Sequence, residues 1–265
     1  NEKNIILIGE NQYDTRIDGG NNNQTVVVNS SYLSLSNLTI QNGYGFDGGG
    51  ISVFESDLNL ENCRIIDNIA THDGAGIHLE HSNVQIFNSH ISNNESYNNG
   101  GGFFSYYSTI NFTHSLITNN TAFDAGGAFS LRNPHETNII NATIYGNLQN
   151  RGIIQLEQEN SQIPELNIFN TVIWNNEGNL YHVVEGIINV NDYYNLIDIN
   201  PQFIDQENFN FYLQSSSPCI DTGDPNSPLD PDGTRADIGA FYYHQSESSV
   251  NQCCFESYGD INCDT

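Results

Sequence analysis

Apolar residues return along this chain at nearly fixed intervals. Ile40, Ile65, Ile91, Ile117, Ile144 and Ile173 are spaced by 25, 26, 26, 27 and 29 residues. Seven positions before these anchors stand Leu33, Leu58, Val84, Ile110, Thr137 and Leu166. Five positions before them stand Leu35, Leu60, Ile86, Phe112, Ile139 and Ile168, and the residue between each pair is polar: Ser34, Asn59, Gln85, Asn111, Asn138 and Asn167. Apolar–polar–apolar alternation is the signature of a short strand with one buried face.

Glycine keeps the same beat. Gly48, Gly74, Gly100, Gly126, Gly152 and Gly178 follow one another in steps of 26 residues. A second apolar pair follows these corners, as in Ile51 and Val53 or Ile77 and Leu79. A coil of fixed circumference explains such a register: the chain turns a sharp corner at the same place on each lap, and glycine supplies positive φ there without steric cost. Strands stacked along a coil pair in parallel, and parallel crossovers are right-handed. The expected fold is therefore all-β, a right-handed parallel β-helix over residues 1–180. Asn68, Asn94, Asn120, Asn147 and Asn176 trail the last five anchors by three positions, which predicts an Asn ladder along the axis. The beat fails after Gly178. Residues 181–245, rich in Pro and Gly, read as a segment that folds back to close the C-terminal end of the coil. Residues 246–265 read as a linker and a Cys-rich tail.

Composition narrows the partners. Six Lys and Arg stand against 32 Asp and Glu, a formal charge of −26 over 265 residues. Such a surface repels nucleic acid, anionic lipid and bare uronate polymers, and suits cations such as Ca²⁺. No apolar run has the length of a membrane span. Met is absent even at position 1, which points to a processed or partial product. Three of the five cysteines (Cys253, Cys254 and Cys263) fall in the tail, which suggests a cross-linked end in an oxidising compartment. Cys63 sits at an inward repeat position, where a buried free thiol is expected. Asn23, Asn37, Asn94, Asn111, Asn120 and Asn141 are candidate glycosylation acceptors.

The corners "GGGI", "GAGI", "GGGF" and "GGAF" resemble the repeats of secreted pectin-lyase-like β-helix proteins, and also those of polymorphic outer-membrane protein passengers. The opening "NIILIGENQYDTRIDGG" and the closing "SPCIDTGDP…DPDGTRADIGAFYYH" are similar to bacterial right-handed β-helix proteins with a choice-of-anchor module. The final "YGDINCDT" resembles the opening of a dockerin-type Ca²⁺ loop, with Asp260, Asn262 and Asp264 at ligand positions 1, 3 and 5. The resemblance implies an extracellular or cell-surface location. It implies no single activity, because this fold hosts lyases, hydrolases, adhesins and fibres.

Candidate chemistry lies beside the corners. Asp47 and Asp73 are one lap apart, so their carboxylates are expected roughly 5 Å from one another, as a cation site or an acid pair. Asp before Gly is also ordinary turn chemistry. Arg132 and Tyr106 each follow a corner glycine by six residues and are expected to be neighbours, a Tyr–Arg pair that is the candidate catalytic pair for β-elimination. His72, His78 and His81 read as solvated surface residues. Phe54, Phe104, Tyr106 and Tyr107 read as an outward aromatic row that suits sugar faces or protein contacts. Basic residues suited to β-elimination are scarce. The sequence thus favours a non-catalytic surface or adhesion protein, with self-association, glycans or other surface proteins as partners and no certain cofactor. The alternatives are a polysaccharide lyase or glycoside hydrolase, or a glycan-binding module.

Overall fold

The computed structural model describes residues 3–160 and 163–245. The chain winds as a parallel β-solenoid of about seven coils. Ile51–Phe54 lies in what we call sheet I, Asp57–Glu61 in sheet II, Arg64–Ile66 in sheet III and Ile69–Ala70 in the narrow sheet IV; Ile77–Glu80 then returns to sheet I one rung on. Every pairing within these four sheets is parallel. The only helical piece among the described residues is a 3-10 turn, Gln206–Asn208. None of the helical structure is long and apolar enough to cross a membrane.

The apolar rows of the sequence are the rows of the core. Leu33, Leu58, Val84, Ile110, Thr137 and Leu166 pair rung to rung in sheet II. The isoleucine anchors do the same in sheet III. Phe103 and Phe129 stack at 5.2 Å on the inner side of sheet I, and Phe112 of sheet II meets Phe103 edge-on at 6.1 Å. All three are fully buried. Continuous side-chain columns remove apolar surface from water on every lap, so each coil is stabilised mainly by its two neighbours.

One left-handed residue turns each corner. Glu55, His81, Tyr107 and Asn133 turn from sheet I to II; Asn62, Asn88 and His114 from II to III; Asp67, Asn93 and Asn119 from III to IV; Gly48, Gly74, Gly100, Gly126 and Gly178 from IV back to I. Asn, Asp and Gly dominate because the left-handed region penalises other side chains by about 1–2 kcal/mol. Gly152 departs from the expected set. It keeps the count of 26 but not a positive φ, because Ile154 pairs with Phe129 and that corner, residues 150–153, is two residues shorter than 123–128 one lap earlier.

The Asn ladder forms as expected. Asn68, Asn94, Asn120 and Asn147 are wholly buried, and each side chain spans the gap between successive rungs. Asn94 Oδ1 accepts from the backbone N–H and the side chain of Asn68, while its Nδ2 donates to Ile65 O and Asn120 Oδ1. A serine ladder that the repeat reading missed runs through Ser56, Ser82 and Ser108, each hydroxyl accepting from the backbone of the preceding lap. Cys63 is a buried free thiol in a matching row with Ser89, and burial pushes it up to about 11.

The coil continues beyond the expected boundary at 180. Tyr181–Glu185, Asn189–Tyr193 and Leu196–Ile197 add rungs to sheets I, II and III. The following segment does not cover the coil end. Its antiparallel strands Phe203–Asp205 and Asn210–Leu213 lie against the outside of sheet III, where Phe203, Phe211, Leu213 and Ile238 pack on Leu116, Tyr145 and Val172. Among the described residues the outermost strands at both ends pair on one side only, with Ile6 and Ile8 exposed at one end and Val183 and Ile187 exposed at the other.

Carboxylates lock this lateral module. Asp237 accepts from the backbone of Asp221 and Tyr243, and Asp230 accepts from the backbone of Asp237. Burial, and then the Asp237, Asp232 and Asp221 carboxylates, push Asp230 up to about 6. A carboxyl raised above its unfolded value stabilises the fold below about pH 4, and that contribution is lost as pH rises through 6. We expect Asp230→Asn to raise the melting temperature at pH 7, with the gain shrinking towards zero at pH 4. Thermal melts across that range check this; equal shifts at both pH values would contradict it.

Candidate functional site

The Asp47–Asp73 pair meets across adjacent coils at the corner from sheet IV to sheet I. Asp47 Oδ1 accepts from the backbone N–H of Asp73 at 3.0 Å, and Asp73 Oδ1 accepts from Asn99 N at 2.9 Å and Asn98 Nδ2 at 3.0 Å. Each carboxylate thus caps the next lap of backbone, as turn chemistry requires. They are not two free acids flanking a substrate bond. Burial raises the Asp73 carboxyl above its ordinary value, the backbone bond from Asn99 pulling against it. His72 joins the pair: its Nδ1 lies 3.0 Å from Asp47 Oδ1 and 3.2 Å from Asp73 Oδ2.

His78 departs from the expected solvated state. Its side chain leaves the outer face of sheet I, yet it is buried, because the Phe104 ring of the next coil stacks on it at 5.0 Å. Burial lowers its pKa, while the Asp47, Glu80 and Asp73 carboxylates pull the other way. Phe104 is spent in that contact and is itself buried, so it drops out of the expected aromatic row. Beside this stack an open groove of about 530 Å³ is lined by Asn23, Tyr44, Asp47, Phe54, His78 and Glu80 among others. It is polar and acidic, with no Lys or Arg in its lining.

The other aromatic candidates gather on the opposite edge of sheet I, at the corner to sheet II. The row that holds Phe54 continues through Glu80, Tyr106 and Arg132. His81 stacks on Tyr107 at 5.3 Å and meets Phe54 and Tyr106 edge-on at 6.3 and 5.7 Å; Tyr107 reaches His135 at 6.2 Å. Phe54, His81 and His135 are exposed and the two tyrosines half-buried. The strip runs across four coils, about 14 Å at roughly 4.8 Å per rung. His81 and His135 were absent from the expected row; His81 lies one residue past the strand Ile77–Glu80, and His135 directly precedes the strand Glu136–Ile140, so both fall in the turn from sheet I to sheet II. The expected neighbours do meet: the Arg132 guanidinium lies over the Tyr106 ring at 5.8 Å. Arg132 is also paired with Glu157 at 3.2 Å and Glu159 at 2.5 Å, which holds the arginine in its charged form.

The acceptor asparagines divide by exposure. Asn23 is exposed, and Asn37, Asn111 and Asn141 are half-buried. Asn94 and Asn120 are closed to modification because their side chains are ladder rungs in the core. The triplet near Asn120 also begins one residue earlier, as Asn119-Asn120-Thr121. Asp260, Asn262 and Asp264, with the tail cysteines, lie outside the described residues.

Among solved structures, one titled "Crystal structure of pectate lyase Pel9A" resembles this chain, with a TM-score of 0.41 and 15% identity over 81% of this chain and 68% of that one. The sheet pairing above, rather than this likeness, establishes the coil. No protein-family model matches the sequence, and no curated protein matches it.

Proposed function

We propose that this chain is a non-catalytic scaffold of the cell surface or extracellular space, which holds a neutral glycan along the ring strip of Phe54, His81, Tyr106 and Tyr107. One observation carries the reading: His81 and Tyr107 occupy left-handed corner positions, with φ of 49° and 46°, at a corner where the other laps carry the smaller or unringed Ser30, Glu55 and Asn133, and Asn, Asp or Gly serve at most corners elsewhere. Bulky residues kept in a costly conformation persist where their side chains are needed. Here they build a continuous row in which His81 and Tyr107 stack on one another and Phe54 and Tyr106 meet them edge-on, an exposed amphipathic strip of the kind that sugars pack against. The acidic surroundings, Glu80, Glu157 and Glu159 among them, favour a neutral polymer over a uronate one. Copies meeting end to end would extend sheets I to III across the junction, which is the form self-association takes in this reading.

The test is a neutral and acidic oligosaccharide panel with Tyr107→Asn. Asn suits the left-handed corner, so this variant should be as stable as the parent or more so by up to about 1 kcal/mol. It should bind its glycan about tenfold more weakly. A stable variant with unchanged binding would remove the basis of the proposal. The enzyme alternative is checked in the same panel: unsaturated products or new reducing ends that disappear in Asp73→Asn would replace the scaffold reading with a catalytic one.

A further inference from the structure

We propose that Asp47, His72 and Asp73 form a binding site for one transition-metal dication of the Zn²⁺ class. The potential ligand atoms of the three side chains all lie within 4.8 Å of one another. They come from two successive coils, so the hydrogen-bonded rungs hold them together without any rearrangement of backbone. The imidazole is oriented as well as near. The Phe46 ring stacks on it at 4.8 Å and 9° between planes, and Nδ1 faces both carboxylates. The backbone bonds from Asp73 to Asp47 Oδ1 and from Asn99 to Asp73 Oδ1 act as the outer supports that fix ligating carboxylates. Each carboxylate keeps a second oxygen, Asp47 Oδ2 or Asp73 Oδ2, with no backbone N–H on it.

The donor set selects the ion. Ca²⁺ takes six to eight oxygens. Two carboxylates already half engaged by backbone, with an imidazole nitrogen between them, do not supply that shell. One nitrogen and two oxygens are the three-ligand pattern of an open zinc site, in which solvent takes the remaining position. The His72 side chain is 45% exposed, so an ion and its water can enter from outside. The Ca²⁺ expected from the Asp47–Asp73 pair alone is thus replaced by a borderline-soft ion once His72 is counted. This inference stands apart from the glycan proposal, since the site and the ring strip lie at opposite edges of sheet I.

The experiment is calorimetric titration of the full chain, freed of metal, with Zn²⁺ and separately with Ca²⁺. One Zn²⁺ per chain is expected, with no Ca²⁺ heat at the same concentrations. His72→Ala should abolish that binding and Asp47→Asn weaken it at least about tenfold. Thermal melts should show both variants folded, as expected for side chains at an accessible corner. Titration with Co²⁺ adds a signature, a visible absorption band that is lost in His72→Ala. Zn²⁺ binding of equal affinity and stoichiometry in His72→Ala would place the ion at other histidines or at the cysteines and overturn the proposal. So would a parent chain that ignores Zn²⁺, or one that prefers Ca²⁺. Glycan binding measured on the same variants should not change, so that failure of either proposal leaves the other readable.

Discussion

Replacing Asn94 with Ala should cost about 4 kcal/mol, read by urea denaturation at pH 7. The substitution removes four hydrogen bonds from a site that excludes water. It strands the backbone N–H of Asn68, takes the side-chain donor from the carbonyl of Ile65, and leaves Asn68 Nδ2 with only a long bond to Ile40 O. A buried polar group without a partner costs about 1–3 kcal/mol, more than the net worth of the bond itself. Asn94→Asp should be worse still, because it turns a charged acceptor towards Ile65 O and Asn120 Oδ1 with no donor to offer. The outer ladder gives the control. Asn138 bonds to Asn111 and Asn167 at 2.7 Å each but is only half-buried on the outside of sheet II. Water can replace those bonds, so Asn138→Ala should cost less than about 1 kcal/mol. Similar losses in the two variants would mean that burial of the inner ladder contributes nothing particular.

Phe103→Ala should cost about 3–5 kcal/mol and should also blunt the cooperativity of unfolding. The ring fills the middle of the coil between Phe129 and Phe112. Its removal forfeits apolar burial and leaves a cavity that the hydrogen-bonded rungs cannot collapse to fill. The second effect follows from topology. A solenoid is held together by neighbour-to-neighbour interfaces, so a weak rung at its centre uncouples the laps on either side. The urea transition should broaden or divide in two, with a smaller slope against denaturant. A sharp, parallel transition at lower urea would show that the coupling does not pass through the aromatic stack.

The coil was legible because its information is local and repeated. Rows such as Leu35, Leu60 and Ile86 lie in register with no insertion inside the strands, so counting along the sequence is counting along the axis. The Asn ladder was legible for the same reason. Counting failed where a lap changed length, as at Gly152, and where a contact depends on which way a side chain turns. His72 precedes Asp73 and follows Asp47 by one lap less a residue, but its swing onto the carboxylates is set by Phe46. His78 occupies an outward position and is buried by a ring from the next coil. The lateral docking of the closing module also had a readable sign. Residues flanking the sheet III anchors are mostly polar early on, as with Thr39, Gln41 and Arg64. They become apolar from Leu116 onwards, through Tyr145, Val172 and Trp174, and that side is the one covered. Coverage of the coil end was instead inferred from position in the chain, which says nothing about which surface is apolar.

The one-rung advance of each lap also makes the molecule a reservoir of contour length. A lap of about 26 residues moves the folded coil forward by only about 4.8 Å. Pulled straight, the same residues span about 90 Å. A chain anchored at one end and loaded at the other would therefore release tether in discrete, similar increments, one coil at a time from its exposed edge. Each released lap would lengthen the link nearly twentyfold over the distance it occupied when wound.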